Sequence, residues 1–323
     1  MNNSQRFCCV VIVVVSIWFS GAQCLLASEL KIVASIAPIH SLVSEVVAGT
    51  EVREPELLVR GKNSPHAFTL RPSDVRTLQD ADIFFLVSET LETFAMQALK
   101  SLENDTYVVE LMNTSGLHLV QYVESESKDT GHGHAHEHGH IHTHDGSHPM
   151  SQYDHHIWLD PGNAIVMVAE ISRVMSNVDP DNSEIYESNA NRLRLDLEAL
   201  TKEMTLELKT VQDSEFIVFH DAYKTFEHRF GLTKRSHPIL VGENRPGARR
   251  MQELRNRLKS SGVRCVFKEP QYDAKILDVL VEGTDAKIAE LDPLGINFET
   301  GTGQYFALMR SMVATLRDCL AQE

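Results

Sequence analysis

One long segment without glycine or proline divides this chain into two stretches that each alternate short apolar runs with helical patterns. From Ser183 to Val211 the apolar side chains recur every three or four residues, which predicts one amphipathic helix of about 40 Å. The short apolar runs predict strands at Leu30–Ile36, Pro55–Val59, Asp82–Val87 and Thr106–Val109, and again at Glu215–Phe219, Pro238–Val241, Val263–Phe267 and Ala286–Leu291. Such alternation is typical of parallel βαβ units. The predicted fold class is therefore α/β, with a parallel sheet flanked by helices in each of two lobes.

The length of 323 residues agrees with about two domains. We expect a signal peptide at 1–28, a first α/β lobe at 29–178, a linking helix at 179–213 and a second α/β lobe at 214–323. Residues 124–148 break the α/β rhythm because they contain almost no apolar side chains, and they predict a mobile loop inserted in the first lobe.

The amino terminus has the layout of a secretory signal peptide. Arg6 is the only charged residue before Glu29 and precedes an apolar run that ends near Phe19. That run is shorter than the ~20 residues that cross a bilayer. We expect cleavage between Cys24 and Ser28. Lipid attachment at Cys24 is the alternative, although Gln23 is a poor fit before a lipidated cysteine.

The expected export also indicates whether the cysteines of this chain form a disulfide. Once the signal peptide is removed, Cys265 and Cys319 remain. An even number of cysteines in an exported protein suggests a disulfide, and the alternative is two buried thiols.

The charge balance excludes one large class of function. Lysine and arginine number 30 against 45 acidic residues, which gives a formal charge of -15. A general nucleic-acid binder requires the opposite balance, so no nucleic-acid partner is expected. An acidic protein can instead attract cations.

Histidine is unusually concentrated in the inserted loop. Eight of the 16 histidines lie there: His132, His134, His136, His138, His140, His142, His144 and His148. Flexible imidazoles bind divalent ions weakly in shifting combinations, so the loop is expected to be an auxiliary metal-binding segment. A zinc-protease motif within it, His136-Glu137-x-x-His140, needs a helix that the surrounding glycines disfavour.

Three further histidines lie near predicted strand ends. His66 follows the second predicted strand, His156 precedes the run Ile157-Trp158-Leu159, and His220 directly follows Phe219. Open α/β sheets place ligands at the carboxyl ends of their strands. Together the three histidines indicate a metal site.

Several short motifs then resemble one known family. They are Ser64-Pro65-His66, Leu70-Arg71-Pro72-Ser73, His156-Ile157-Trp158-Leu159-Asp160-Pro161, Phe219-His220-Asp221-Ala222-Tyr223, Glu269-Pro270-Gln271 and Leu291-Asp292-Pro293-Leu294-Gly295. In this order they are similar to the landmarks of the substrate-binding proteins of bacterial ABC importers for zinc and manganese. The histidine loop and the pair Cys265 and Cys319 resemble the zinc-uptake branch.

The resemblance implies a function and a set of site residues. It makes His66, His156 and His220 the metal ligands, with Asp292 as a candidate fourth, in a cleft between lobes joined by one rigid helix. Pro65 replaces an acidic residue that offers another carboxylate in some members. The implied protein is a periplasmic monomer that captures Zn²⁺ as cargo and delivers it to a membrane permease and its ATPase.

Ligand chemistry independently favours zinc, because imidazoles suit Zn²⁺ whereas Mn²⁺ prefers carboxylate oxygens. Manganese or another divalent metal is the first alternative. A zinc-dependent hydrolase, with Glu243 or Glu269 as general base, is the alternative from another class, but we expect no enzyme.

Overall fold

The computed structural model describes residues 30–101, 105–121, 152–232, 237–240, 246–260, 262–273 and 275–321. The expected signal peptide, Cys24 and the histidine-rich loop lie outside these ranges. In the described part no helix combines the length and apolar character needed to cross a membrane.

The first lobe is built on a parallel sheet in the order β2-β1-β3-β4. Its strands are β1 (Ile32–Ala34), β2 (Glu56–Leu57), β3 (Ile83–Leu86) and β4 (Tyr107–Glu110), and the helices between them are α1 (Ala37–Val47), α2 (Pro72–Gln79) and α3 (Thr93–Ser101). Every residue of β1 and β3 is buried, as expected of central strands covered on both faces. α4 (Pro161–Val178) follows after the inserted loop.

The second lobe repeats this arrangement with the order β6-β5-β7-β8, again parallel. Its strands are β5 (Ile217–Val218), β6 (His237–Pro238), β7 (Cys265–Lys268) and β8 (Lys287–Glu290), with α6 (Lys224–Phe230), α7 (Ala248–Ser260) and α8 (Lys275–Val281) between them and α9 (Gln304–Leu320) last. Each strand overlaps a predicted one, and the α/β fold class is confirmed.

The predicted long helix is present as α5 (Ser183–Leu208). Its buried residues, Tyr186, Leu193, Leu197, Leu200, Met204 and Leu208, are members of the predicted apolar stripe. The helix ends three residues before Val211, where the chain turns, yet Val211 is itself fully buried. The apolar pattern therefore predicts the buried face of the helix correctly but extends three residues beyond its end.

The two sheets share one core. A single cluster of buried side chains extends from β1 through α4 and α5 to α9. α9 also returns to the first lobe, where the backbone N–H of Tyr305 donates to Ser41 Oγ at 3.0 Å and that of Gly303 donates to Glu45 Oε1 at 3.0 Å. The lobes are thus held together by α9 as well as by α5.

The expected disulfide is present between Cys265 on β7 and Cys319 near the end of α9, with Cα atoms 6.0 Å apart. The bond ties α9 to the second sheet at its far end, while its near end contacts the first lobe.

Candidate metal centre

The fold brings the three predicted histidines together between the two sheets. His66 lies in a turn after β2, and His220 follows β5 by two residues. His156 immediately precedes a single helical turn, Ile157–Leu159, which leads into α4. His156 and His220 are buried and His66 is half-buried.

The imidazole nitrogens face one another at close range. Nε2 of His156 lies 3.3 Å from Nε2 of His66 and 3.3 Å from Nε2 of His220. One candidate ligand atom from each of the three lies within 4.8 Å of the others. Two nitrogens bound tetrahedrally to one zinc ion at about 2.0–2.1 Å are roughly 3.3–3.4 Å apart. The two distances from His156 therefore fit the nitrogen spacing around a single tetrahedral zinc ion, and the third pair lies within 4.8 Å.

A buried carboxylate orients His156. Asp154 Oδ1 lies 2.7 Å from Nδ1 of His156 and also accepts the backbone N–H of His156. Burial alone would raise the pKa of Asp154, but the charge of His156 and hydrogen bonds from His156 and Thr225 lower it to about 2. An ionised Asp154 holds the proton of His156 on Nδ1, so Nε2 presents a lone pair to the cluster.

His220 has an equivalent partner. Its Nδ1 lies 2.7 Å from Oε1 of Glu269, which is 1% exposed and follows β7. The carboxylate selects the same tautomer as at His156, with Nε2 available to a metal. Two of the three imidazoles are thus held with Nε2 facing the cluster by carboxylates on different parts of the chain.

The third imidazole is kept neutral by its surroundings. Burial, followed by the nearby His156 and His220, lowers the pKa of His66 to about 2. A proton on His66 would be poorly solvated and would face two other imidazoles. Protons therefore compete weakly for His66, whereas the free side chain would compete near pH 6.5.

Asp292, the candidate fourth ligand, is not in the group that the structure brings together. Its Oδ1 accepts hydrogen bonds from Gln271 Nε2 at 2.9 Å and Leu294 N at 3.0 Å, and its Oδ2 accepts one from Ile296 N at 2.7 Å. Both oxygens therefore stabilise the turn after β8. In the sequence, a ligand and a carboxylate that caps a turn look the same.

Aromatic side chains cover the cluster. Trp158 is fully buried, its ring centroid lies 5.2 Å from that of His156, and its indole N–H donates to the carbonyl of Pro293 at 2.8 Å. Tyr272 lies against His220, and its hydroxyl is 3.3 Å from Ser64 Oγ across the cleft. These aromatic rings leave little space around the three imidazoles, enough for a small ion but not for a larger molecule.

Sequence reasoning missed Asp154 and gave Glu269 a different role. Asp154 stands two residues before His156, and this Asp-x-His spacing is the signal that could have identified it. The sequence offers Glu269 as a candidate general base, yet its contact with Nδ1 of His220 makes it a carboxylate that orients this imidazole. Glu243 lies outside the described residues.

Solved structures of the same architecture place this fold in a class. The zinc-bound crystal structure of a ZnuA deletion mutant matches with a TM-score of 0.73 and 22% identity, over 91% of this chain and 99% of that one. The Streptococcus agalactiae laminin-binding protein Lmb, described as an adhesin with metal-transporting activity, matches with a TM-score of 0.71 and 24% identity over 90% and 100%. At these identities the likeness concerns the fold. Fold and site together define a class of two-lobed α/β proteins in which three histidines converge between the lobes.

Sequence comparison defines the family. The model of the family described as zinc-uptake complex component A, periplasmic (ZnuA), matches residues 32–319. The high-affinity zinc uptake system protein ZnuA of Brucella suis biovar 1 (strain 1330) is 39% identical over 322 residues, which cover 94% of this chain and 95% of that protein. Its counterpart in Paracoccus denitrificans (strain Pd 1222) is 33% identical, with 91% and 92% covered. The chain belongs to the ZnuA family, and the resemblance seen in the sequence is confirmed.

Proposed function

We propose that this protein captures Zn²⁺ in the cleft between its lobes and delivers it to an ABC importer. The observation that carries the proposal is the convergence of three imidazole nitrogens, with His156 Nε2 at tetrahedral zinc spacing from the other two. The related proteins in Brucella and Paracoccus are named as high-affinity zinc uptake proteins. A membrane permease and its ATPase are the partners that this function requires.

The ligand set is His66, His156 and His220, with water at the fourth position. The hydrogen bonds of Asp292 support water over that carboxylate, since both its oxygens are used within the turn. Three protein ligands and a replaceable fourth suit an ion that must leave again, whereas a closed four-cysteine site would retain it.

Zinc is favoured over manganese because all three proposed ligands are nitrogens and the two carboxylates at the site contact imidazoles. The hydrolase alternative is set aside, because the family to which the chain belongs consists of uptake proteins.

The remaining parts of the chain have roles in the same proposal. Residues 1–28 direct export to the periplasm, residues 29–178 and 214–323 form the lobes, and residues 179–213 contain the helix that links them. The histidine-rich loop at 124–148 binds zinc weakly as an auxiliary segment. The protein acts as a monomer.

Equilibrium zinc binding to three proteins tests the proposal. The wild type and a deletion of residues 131–148 should both bind one zinc ion tightly, while His66→Ala should lose the tight site. If the deletion abolished tight binding and His66→Ala retained it, the primary site would lie in the loop.

A further inference from the structure

His156 belongs in sequence to the first lobe, but the segment that contains it forms hydrogen bonds and an ion pair with the second lobe. The segment Asp154–Asp160 lies just before α4. Four side-chain contacts join it to the second lobe: Thr225 to Asp154, Arg229 to Asp160, Trp158 to the carbonyl of Pro293, and Tyr305 to the carbonyl of Trp158. Two of the four come from α6.

The contact between Thr225 and Asp154 reaches the metal site directly. The backbone N–H of Thr225 donates to Oδ2 of Asp154 at 3.0 Å, and its hydroxyl donates to the same oxygen at 2.7 Å. The other oxygen, Oδ1, accepts from Nδ1 of His156 at 2.7 Å. Thr225 is 1% exposed and Asp154 is fully buried, so water does not replace these donors.

We propose that Thr225 is a positioning residue for zinc: it fixes the Asp154 carboxylate, which in turn orients His156, so that zinc retention depends on α6 remaining docked on the Asp154–Asp160 segment. The inference rests on the proposed function, because it assigns Thr225 to the same site.

The physical reason is that the two oxygens of Asp154 accept hydrogen bonds from different residues, Oδ1 from His156 and Oδ2 from Thr225. A carboxylate held at one oxygen can rotate about its Cβ–Cγ bond, and rotation moves the acceptor away from Nδ1 of His156. The two hydrogen bonds that Thr225, in the second lobe, donates to Oδ2 prevent this rotation. Partners that orient a metal ligand typically change metal affinity by about 10–100-fold when they are lost.

The same geometry gives the protein a way to release its cargo. Any displacement of α6 from the first lobe withdraws both Thr225 donors from Asp154 and separates Arg229 from Asp160. His156 then loses its fixed orientation while His220 keeps its own carboxylate, Glu269, within the second lobe. Opening the lobes weakens the site at one identified ligand.

Substitution of the hydroxyl tests this inference. Thr225→Val removes the hydroxyl and keeps the shape, whereas Thr225→Ser keeps the hydroxyl. The matched control is Thr201→Val in α5, because the Thr201 hydroxyl donates to the carbonyl of Leu197 in its own helix. If Thr225→Val does not fold, Thr225→Ala is compared with Thr225→Ser instead.

The measurement is the zinc dissociation rate, followed by transfer of zinc to an excess of a chelating dye at pH 7.5. We expect Thr225→Val to release zinc about 10-fold faster than the wild type, with Thr225→Ser and Thr201→Val within twofold of it. An equal rate in Thr225→Val and the wild type would overturn the inference.

A double-mutant cycle separates positioning from a merely structural role. In an Asp154→Asn background, where the carboxylate that Thr225 fixes is absent, Thr225→Val should change the rate by less than twofold. A full 10-fold effect in that background would show that Thr225 acts by another route. His66→Ala keeps the two proposals distinct, because its loss of tight binding supports the site whether or not Thr225 matters.

Discussion

Replacement of Glu269 by glutamine should weaken zinc binding while leaving the shape of the site unchanged. Glu269 is 1% exposed and its Oε1 lies 2.7 Å from Nδ1 of His220. The amide oxygen of glutamine can still accept that hydrogen bond. What disappears is the negative charge one imidazole ring away from a divalent cation.

The size of the effect follows from the distances. An ion on Nε2 of His220 would lie roughly 6–7 Å from the Glu269 carboxylate, which places the attraction at about 5 kcal/mol for an effective dielectric constant of about 20. This figure is an upper limit, because the surroundings relax and the amide dipole replaces part of the charge. We therefore expect a 10–100-fold loss of zinc affinity, or about 1.4–2.7 kcal/mol.

Glu290→Gln is the matched control for the change in net charge. Glu290 lies at the end of the neighbouring strand, is exposed, and pairs with Lys268 at 3.2 Å. Competition titrations against a zinc chelator at pH 7.5 should show a loss for Glu269→Gln and none for Glu290→Gln. If Glu269→Gln binds zinc within twofold of the wild type, or both variants lose affinity equally, the assigned role of Glu269 is wrong.

Three further predictions follow from the structure. Because the pKa of His66 is about 2 in the folded protein, only the unfolded chain binds a proton at this side chain near pH 6.5. The free energy of unfolding of the metal-free protein, measured by urea titration, should therefore be about 1–2 kcal/mol lower at pH 5 than at pH 7. In His66→Gln the free energy of unfolding should depend less steeply on pH. Cys319→Ser should lower the free energy of unfolding by about 4 kcal/mol, the chain-entropy value for a bridge between residues 54 apart, and a loss below about 1 kcal/mol would contradict it. Asp292→Asn should keep zinc affinity within about threefold while costing roughly 1 kcal/mol of stability, since its oxygens cap a turn; a 100-fold loss of affinity would instead identify it as a ligand.

Much of the architecture could be predicted from local patterns. The strands and the long helix follow from the spacing of apolar side chains, because a strand or helix places residues on a face with a fixed period. His66 and His220 can be predicted because each follows a strand of a parallel sheet, where open α/β folds place their ligands, whereas His156 precedes a helical turn and is indicated by the motif that contains it. Cys265 and Cys319 were identified as a pair because only two cysteines follow the expected signal peptide.

The roles of the acidic residues could be decided only by the tertiary structure. Asp154, Glu269 and Asp292 all stand near predicted strand ends or motif histidines. Asp154 has the local Asp-x-His signal, but nothing local distinguishes Glu269 from Asp292. Packing makes the first two partners of imidazoles and directs the third into a turn. The contact between Thr225 and Asp154 spans 71 residues and joins different lobes, so no sequence period reports it.

The amino-acid sequence by itself therefore determined which elements form and which nitrogens are available to a metal, since both depend on residue type and short-range spacing. Tertiary structure decided how those nitrogens are oriented and that the two lobes share one core. The reason is that a hydrogen bond or a packed contact depends on positions in space to within a few tenths of an ångström. Those positions exist only once distant segments have packed against one another.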